Sequence, residues 1–411
     1  MSCPSRLLAT AYGSALLSFS ANLFAHGLAM DSPRTTALDA AVVGTWRSAA
    51  AVDDNTAWRM PGFLMGGESW PVDEGVSLDE VNLSGQYAID PNVYAVAKAG
   101  IHGGGKGSDH GDTLEVQHAY LGWRNTCAPF CIAVEAGKMS ALFSPAMAEH
   151  ASTRLLSESS LLLDTLFGRD FHDQGARILW QSPWGISGGV EHWRGQAFPS
   201  TATDDGGNND IFIRYDVHSD TVTATLGGWA MRADAENRID HRYSADHSHG
   251  NNTTPLFPSV GFTGATDLQG LHASARWKLS HAWALSVSGE WMNADADGFL
   301  QNNQRTANLR SQIRGYWVQP AIHWRAHTLA LRSEQLQADN YLEGAGAPAL
   351  TLDSGLSTNG YTPERLSLVW LWQWKSNLAL RVEAVDDRSL PDDASRMAIG
   401  IVWRQNLWRA K

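Results

Sequence analysis

Beyond its first thirty positions the chain lacks any run of 18 apolar residues, about the shortest stretch that reads as a membrane-spanning helix. Its mean hydropathy is slightly negative, which excludes a bundle of such helices, so any passage through a bilayer has to be made by strands. Charge is scarce too. Charged residues make up 18% of the chain, below the roughly 25% of soluble domains. The positive sign is the rarer one, with 31 Lys and Arg against 43 Asp and Glu and a formal net charge of −12. Nucleic acid is therefore not expected as a partner, because neutralising phosphates takes a basic face. Catalytic signatures are missing as well. Gly103 to Gly105 precede Lys106 and Gly107 without the spacing or the following helix of a phosphate-binding loop, and no nucleophile or dinucleotide motif occurs. The chain is not expected to be an enzyme, and the alternative is a barrel protease or lipase with its catalytic residues scattered among Asp, Ser and His. A receptor gated from the inner membrane is a poor reading, since there is no room for a plug domain ahead of the first alternating segment.

Only 3 cysteines occur. Cys3 lies before the first apolar stretch and is not placed to become a lipid-modified terminus. Cys127 and Cys131, in RNTCAPFC, are expected to form a disulfide pinning a turn in an oxidising compartment. A two-cysteine metal site is the alternative, but no His lies within the turn to complete it.

Glycine and tryptophan are abundant, at 38 and 18 residues. Residues 1–25 read as a secretory signal, with Arg6, an apolar core from Leu7 to Phe19 and then small residues, cleaved after Ala25 or Ala29. A short buried helix is the alternative. Residues 26–56, with Trp46 as their one anchor, read as a periplasmic lead-in, and residues 57–411 as an outer-membrane β-barrel.

Alternation of period two carries the barrel reading. Leu366, Leu368, Trp370, Trp372 and Trp374 share one face, opposite Ser367, Gln373 and Lys375. Leu271, Ala273, Ala275 and Trp277 oppose His272, Ser274, Arg276 and Lys278; Ile211, Ile213, Tyr215 and Val217 oppose Asp210, Arg214 and Asp216; Met397, Ile399, Ile401 and Trp403 oppose Arg396 and Arg404. A lipid-facing band edged by Trp and Tyr around a polar lumen accounts for both the pattern and the tryptophans. Short turns are expected near Asp90 and Pro91, Asn125 to Phe130, Ser182 to Trp184, Ser219 and Asp220, Ser280 to Ala282, Ala326 and His327, and Ser376 and Asn377. Long connections are expected near Glu68 to Gly75, Gly103 to Asp112, Ser144 to Asp170, Phe198 to Asn208, Ala235 to Thr266, Asp295 to Asn308, Leu342 to Gly360, and Asp387 to Ala394. They alternate without a break, so the fold class is an all-β, transmembrane antiparallel barrel of about sixteen strands, both ends in the periplasm, with Trp58 to Gly66 as the first strand.

The longest connection in the first half, SPAMAEHASTRLLSESSLLLDTLFGRD, reads as a third loop folded into the lumen, where it narrows the pore and sets selectivity. A surface helix over Arg154 to Phe167 is the alternative. Around this loop, TLEVQHAYLGWRN, VEAGKMSALFSP and GRDFHDQGARILW resemble the porins of the phosphate-selective O and P type. In that family a hairpin with a Gly-Lys element, here Gly137 and Lys138, leads into the third loop, and a D-Q-G element, here Asp173, Gln174 and Gly175, opens the next strand. The resemblance implies a sixteen-stranded, usually trimeric channel.

This sequence departs from the family in the loop's charge. Arg154 and Arg169 stand against Glu149, Glu158, Asp164 and Asp170, whereas phosphate selectivity needs a cationic constriction. The expected function is passive diffusion of small hydrophilic solutes or ions across the outer-membrane bilayer with a weak cation preference, and anion selectivity of the phosphate kind is the alternative. Inward wall candidates include Lys138, Asp173, Arg177, Arg214, Arg232, Arg276, Arg314 and Arg381, either as opposed rings of charge that select ions or as mutual salt bridges. No cofactor is required. The fifth loop, DHRYSADHSHG, offers His241, His247 and His249 with Asp240 and Asp246 as ligands for zinc or another divalent metal, with His102, Asp109 and His110 of the second loop nearby. A hydrophilic loop without metal is the alternative.

Overall fold

The computed structural model describes residues 35–53, 56–102, 114–125, 129–200, 207–243 and 257–410. Sixteen antiparallel strands form one closed barrel. They are β1 (Ala37–Arg47), β2 (Gly75–Ala88), β3 (Val93–His102), β4 (Glu115–Arg124), β5 (Cys131–Ser140), β6 (His172–Gln181), β7 (Ile186–Trp193) and β8 (Gly207–His218). The second half adds β9 (Val222–Arg238), β10 (Gly261–Lys278), β11 (Trp283–Gln301), β12 (Thr306–Trp324), β13 (His327–Glu343), β14 (Glu364–Lys375), β15 (Leu378–Arg388) and β16 (Ala394–Arg409). Each strand pairs with its sequence neighbours, and β1 closes the ring against β16, from Ala37 opposite Arg409 to Arg47 opposite Ala398.

The period-two alternation decides which side chains face out. Ile211, Ile213 and Tyr215 are exposed on the outer wall while Phe212 and Arg214 between them are buried inside. Leu366, Leu368 and Trp370 on β14 and Met397, Ile399 and Ile401 on β16 face out in the same way, against inward Arg365, Ser367 and Arg396. An apolar outer band with a polar interior is the pattern of a barrel that spans a bilayer. At the short-turn end the band is edged by a ladder of outward rings, with Trp324, His327 and Trp370 stacked at centroid spacings of 5.5 and 5.8 Å and Trp372 against Trp374 at 6.0 Å.

The turns at that end close locally. Asp90 Oδ1 accepts from the amides of Asn92 and Val93 at 2.7 and 2.8 Å, Ser182 Oγ from Trp184 and Ile186, and Ser280 Oγ from Ala282 and Trp283. Side chains that mimic a backbone turn in this way are why Ser and Asp mark these positions. All seven expected turns lie between the strands they were expected to join. Cys131, at the end of one of them, is disulfide-bonded, and Cys127 lies outside the described residues.

The connections at the other end are L1 (48–74), L2 (103–114), L3 (141–171), L4 (194–206), L5 (239–260), L6 (302–305), L7 (344–363) and L8 (389–393). Four expectations are corrected here. The first strand is Ala37–Arg47, inside the expected lead-in 26–56, so the barrel starts ahead of residue 57; the small residues of ALDAAVVGTWR carry little apolar contrast and hide the alternation. Trp58 to Gly66 is not a strand but the middle of L1, folded into the lumen with Trp58, Met60, Phe63 and Met65 buried. Asp295 to Asn308 is not a long loop: β11 and β12 run on to a tight turn in which Asn302 Oδ1 accepts from Gln304 and Arg305. There the strands rise above the apolar band and turn charge outward, as in the Arg310–Asp297 ion pair at 3.4 Å with both side chains 79% exposed, so their polar faces read as loop. Arg232 and the exposed Arg314 point outward in the same belt, Arg232 pairing with Asp267 at 3.2 Å, and do not line the lumen. The signal segment 1–25 lies outside the described residues.

Candidate functional site

L3 lies inside the barrel. It carries one short α-helix, α1 (Leu161–Leu166), capped by Ser160 Oγ accepting from Leu163 N, with every residue of it buried. A surface helix over Arg154 to Phe167 is thereby replaced by a single buried turn and a half.

A loop taken out of water must satisfy its backbone polar groups, and here the wall does so with charged side chains. Glu80 Oε2 accepts from Ser152 N at 2.7 Å, Glu383 from Ser157 N and Oγ at 2.8 and 3.0 Å, Glu334 from Leu161 N at 2.7 Å and Glu191 from Leu142 N at 3.0 Å. Arginines take the carbonyls: Arg381 donates to Ala151 O, Arg332 to Glu158 O and Ser159 O, Arg365 to Ser159 O and Arg214 to Leu142 O, with Arg177 on Ser140 O at the end of β5. Charge-assisted bonds of this kind are roughly twice as strong as neutral ones. The lumen charges expected to form ion-selecting rings are thus largely spent on holding the loop.

One L3 carboxylate is clamped directly. Arg396 Nε reaches Glu158 Oε1 at 2.8 Å, Arg365 lies 3.6 Å from Glu158, and both arginines share Asp387 at 2.7 and 3.2 Å. Burial alone would raise the Glu158 carboxyl, but Arg396 and Arg365 outweigh it and hold it well below the ordinary carboxylate range.

The other flank of L3 is apolar. Phe143, Phe167 and Phe171 pack on Trp229 and Trp193 with centroid spacings of 4.6 Å for Phe143–Trp229 and 5.4 Å for Phe171–Trp193. Met60, Phe63 and Met65 of L1 complete the same cluster. The two loops touch through glycine: Gly67 and Gly168 both have left-handed φ, and a Cβ on Gly168 would stand 2.6 Å from Gly67 Cα. Only glycine tolerates both constraints.

The sequence-expected loop residues divide accordingly. Glu158 is in the clamp; Arg169 pairs with Asp164 at 3.3 Å and donates to Trp70 O; Asp170 Oδ1 lies 3.2 Å from His172 Nδ1. Glu149 and Arg154 instead line a cavity of about 110 Å³ between L3 and the wall. On the wall, Arg177 pairs with Glu135 and with Glu191, and Arg381 with Glu383 at 2.9 Å. Arg276 faces inward beside Ser274 on β10. Two further wall residues are engaged locally. Asp173 is on the inward face of β6 with Arg177, and its Oδ2 accepts from the amides of Gly195 and Gln196, both at 2.8 Å, and so fixes the start of L4. Lys138 is tied to Glu115 at 2.9 Å.

Of the expected metal ligands, Asp240 and His241 are among the described residues. Asp240 is taken by Arg242, whose guanidinium it meets at 2.8 and 2.9 Å and which also donates to Ser69 O. Asp246, His247 and His249, like Asp109 and His110, lie outside the described residues. His241 forms a short 3-10 turn with Arg242 and Tyr243. Among the described residues the group whose ligand atoms converge, within 4.8 Å of one another, is Glu68, Glu115 and His172.

Sequence reasoning missed Glu80, Asp387 and the L1 cluster. Asp387 had a signal: Arg381, Glu383, Val385 and Asp387 alternate inward along β15, but the acidic run DD read as the start of a loop.

Solved structures place the fold. OprB of Pseudomonas putida matches over 91% of this chain and 94% of its own, with a TM-score of 0.53 at 9% identity. A loop-deletion mutant of OmpT, an outer membrane protein of Vibrio cholerae, matches over 91% and 100% with a TM-score of 0.50 at 12% identity, and a trimer form of the same protein does so at 8% identity and 0.50. What they share with this chain is the fold. No family model matches the chain, and no curated protein matches it in sequence.

Proposed function

We propose that this protein is an outer-membrane channel through which small hydrophilic solutes or ions diffuse passively, with L3 setting what passes. The observation that carries the reading is the hydrogen bonding of the L3 backbone by wall Glu and Arg side chains, because a loop held at this many points is a fixed part of the lumen rather than a surface appendage. Resemblance in fold to an outer membrane protein of Vibrio cholerae agrees with it. Reconstitution into planar bilayers tests it directly: discrete conductance steps are expected, and their absence with correctly folded barrel would sink the reading.

Within the channel we take L3 to lean toward cations, since Glu149, Glu158, Asp164 and Asp170 outnumber Arg154 and Arg169. A reversal potential of anionic sign in a salt gradient would reverse the assignment in favour of the phosphate-like alternative. That alternative has less behind it, because Asp173 of the D-Q-G element holds L4 and the wall arginines are engaged with carboxylates and carbonyls. The His-rich L5 is taken as a divalent-metal trap at the mouth, built on His241, His247 and His249 with Asp246. Zinc calorimetry on the protein and on a variant with the three histidines changed to Ala decides it, equal heats ending the idea. A homotrimer is the assembly that the motif resemblance implies, and sedimentation in detergent reads it out.

A further inference from the structure

The cavity of about 110 Å³ under L3 is not a leftover gap. One side is the inner face of L3, with Glu149 and Arg154 beside Leu155, Leu156 and Leu163; the other is the wall of β10 to β12, with His272, Glu290 and Trp317. Genuinely empty protein cavities are apolar, and buried polar atoms ordinarily have partners. Here several do not. Both ring nitrogens of His272, which is 6% exposed, have no hydrogen-bond partner. Glu290, 4% exposed, faces the indoles of Trp229 and Trp317 and the hydroxyl of Ser144, yet its Oε1 accepts no hydrogen bond. Arg154 Nε and Trp317 Nε1 are likewise buried and unpartnered. Arg154 Nε, Glu290 Oε1, Trp317 Nε1 and both nitrogens of His272 are thus gathered around one cavity without a partner, and that concentration needs an account.

We propose that this cavity is a binding station for a small zwitterion, a free amino acid with a compact apolar side chain or a solute that pairs an ammonium with a carboxylate in the same way. Arg154 takes the carboxylate. Glu290, with Glu149 close by, takes the ammonium, and Leu155, Leu156, Leu163 and Trp317 cover the apolar body. The volume supports a ligand of this size, being well under the roughly 300 Å³ at which pockets for drug-sized ligands begin. The pairing of charges also explains the selectivity: a lone anion leaves Glu290 Oε1 without a donor, a lone cation leaves Arg154 Nε without an acceptor, and an unsatisfied buried polar atom is costly.

This deepens the channel reading and relies on it only for how the solute arrives. The test is equilibrium titration of the purified full chain in detergent with L-leucine, with isovalerate as the anion-only probe and isoamylamine as the cation-only probe. Quenching of tryptophan fluorescence or calorimetric heat provides the signal. Saturable binding of leucine is expected, with isovalerate and isoamylamine at least about tenfold weaker. Glu290→Gln and Arg154→Gln should each weaken leucine by a similar factor, while Arg310→Gln on the outer face should leave it unchanged. Glu290→Gln keeps the shape of the side chain, and Arg154→Gln lies on a loop, so either one reports on binding if the other fails to fold. Leucine binding no tighter than that of the single-charge probes, or unchanged in both variants, overturns the proposal. Binding in detergent without conductance in bilayers leaves the station standing and sinks the channel reading instead.

Discussion

L3 is held by two seams of opposite chemistry. Along β2 and β13 to β16 the loop segment 151–161 meets Glu80, Arg332, Glu334, Arg365, Arg381, Glu383 and Arg396, nearly all bonded to its backbone or to Glu158. Along β7 to β11, the two ends of the loop meet Trp193, Phe212, Trp229, Met231 and Met292 through Phe143, Phe167 and Phe171. The difference has a physical origin. The middle of the loop has short polar residues and exposes amides and carbonyls that only hydrogen-bonding groups can satisfy, whereas its ends bring large side chains that need only volume. Charges therefore fix the position of the loop's middle, and packing supplies cohesion at its ends.

Breaking the charged seam should have the largest effect. Arg396→Ala leaves Glu158 and Asp387 buried and short of a partner, a loss expected to cost ~3–5 kcal/mol. Urea unfolding of the refolded barrel measures the destabilisation, and single-channel records should show L3 come loose as added current noise. Unchanged stability would mean that the clamp is solvated and the comparison false.

The apolar seam should yield less to a conservative change. Gly168→Ala forces a Cβ against Gly67 at a left-handed φ and is expected to cost more than the ~1 kcal/mol that separates Ala from Gly at tolerant sites. Phe143→Leu keeps most of the volume and should cost less than about 1.5 kcal/mol. If Phe143→Leu were as damaging as Arg396→Ala in the same urea assay, position would depend on the rings as well as on the charges.

The smallest effect separates the two buried carboxyls of the loop by pH. Glu158 has a depressed pKa in the folded protein, so its contribution to stability is fully present above the unfolded value of about 4.3 and is lost only as pH falls through its lower folded value. Glu149 is held up to about 7 by burial, the opposite sign: stability gained by its protonation is present below about 4.3 and is lost as pH rises through about 7. Cation preference should therefore increase as pH is raised through that range, and Glu149→Gln should abolish the step with little change in unfolding midpoint at low pH. Reversal potentials across a pH series show whether the step exists and whether the variant removes it.

Much of this architecture was legible because strands that face lipid on one side and a polar interior on the other keep strict alternation. Ile211 to Val217 and Leu366 to Trp374 read correctly for that reason. Where the chemistry outside the wall changes, the pattern misleads. Asp295, Asp297 and Arg310 stand above the apolar band and looked like loop, while Trp58, Met60, Phe63 and Met65 of L1 mimic a strand because they are buried among side chains within the lumen.

The sequence by itself determined the number of strands, the turns and the inward course of L3, since these follow from the period of the side chains and from Ser, Asp and Gly at fixed places. Tertiary structure alone decided what the lumen charges do. Arg365, Arg381, Glu334 and Glu383 are inward by parity, but whether each meets solvent, another charge or the backbone of L3 depends on where a loop distant in sequence comes to rest. It also gathered Arg154 Nε, Glu290 Oε1 and the ring nitrogens of His272 around one cavity without partners, because contacts between residues far apart in the chain leave no mark on local alternation.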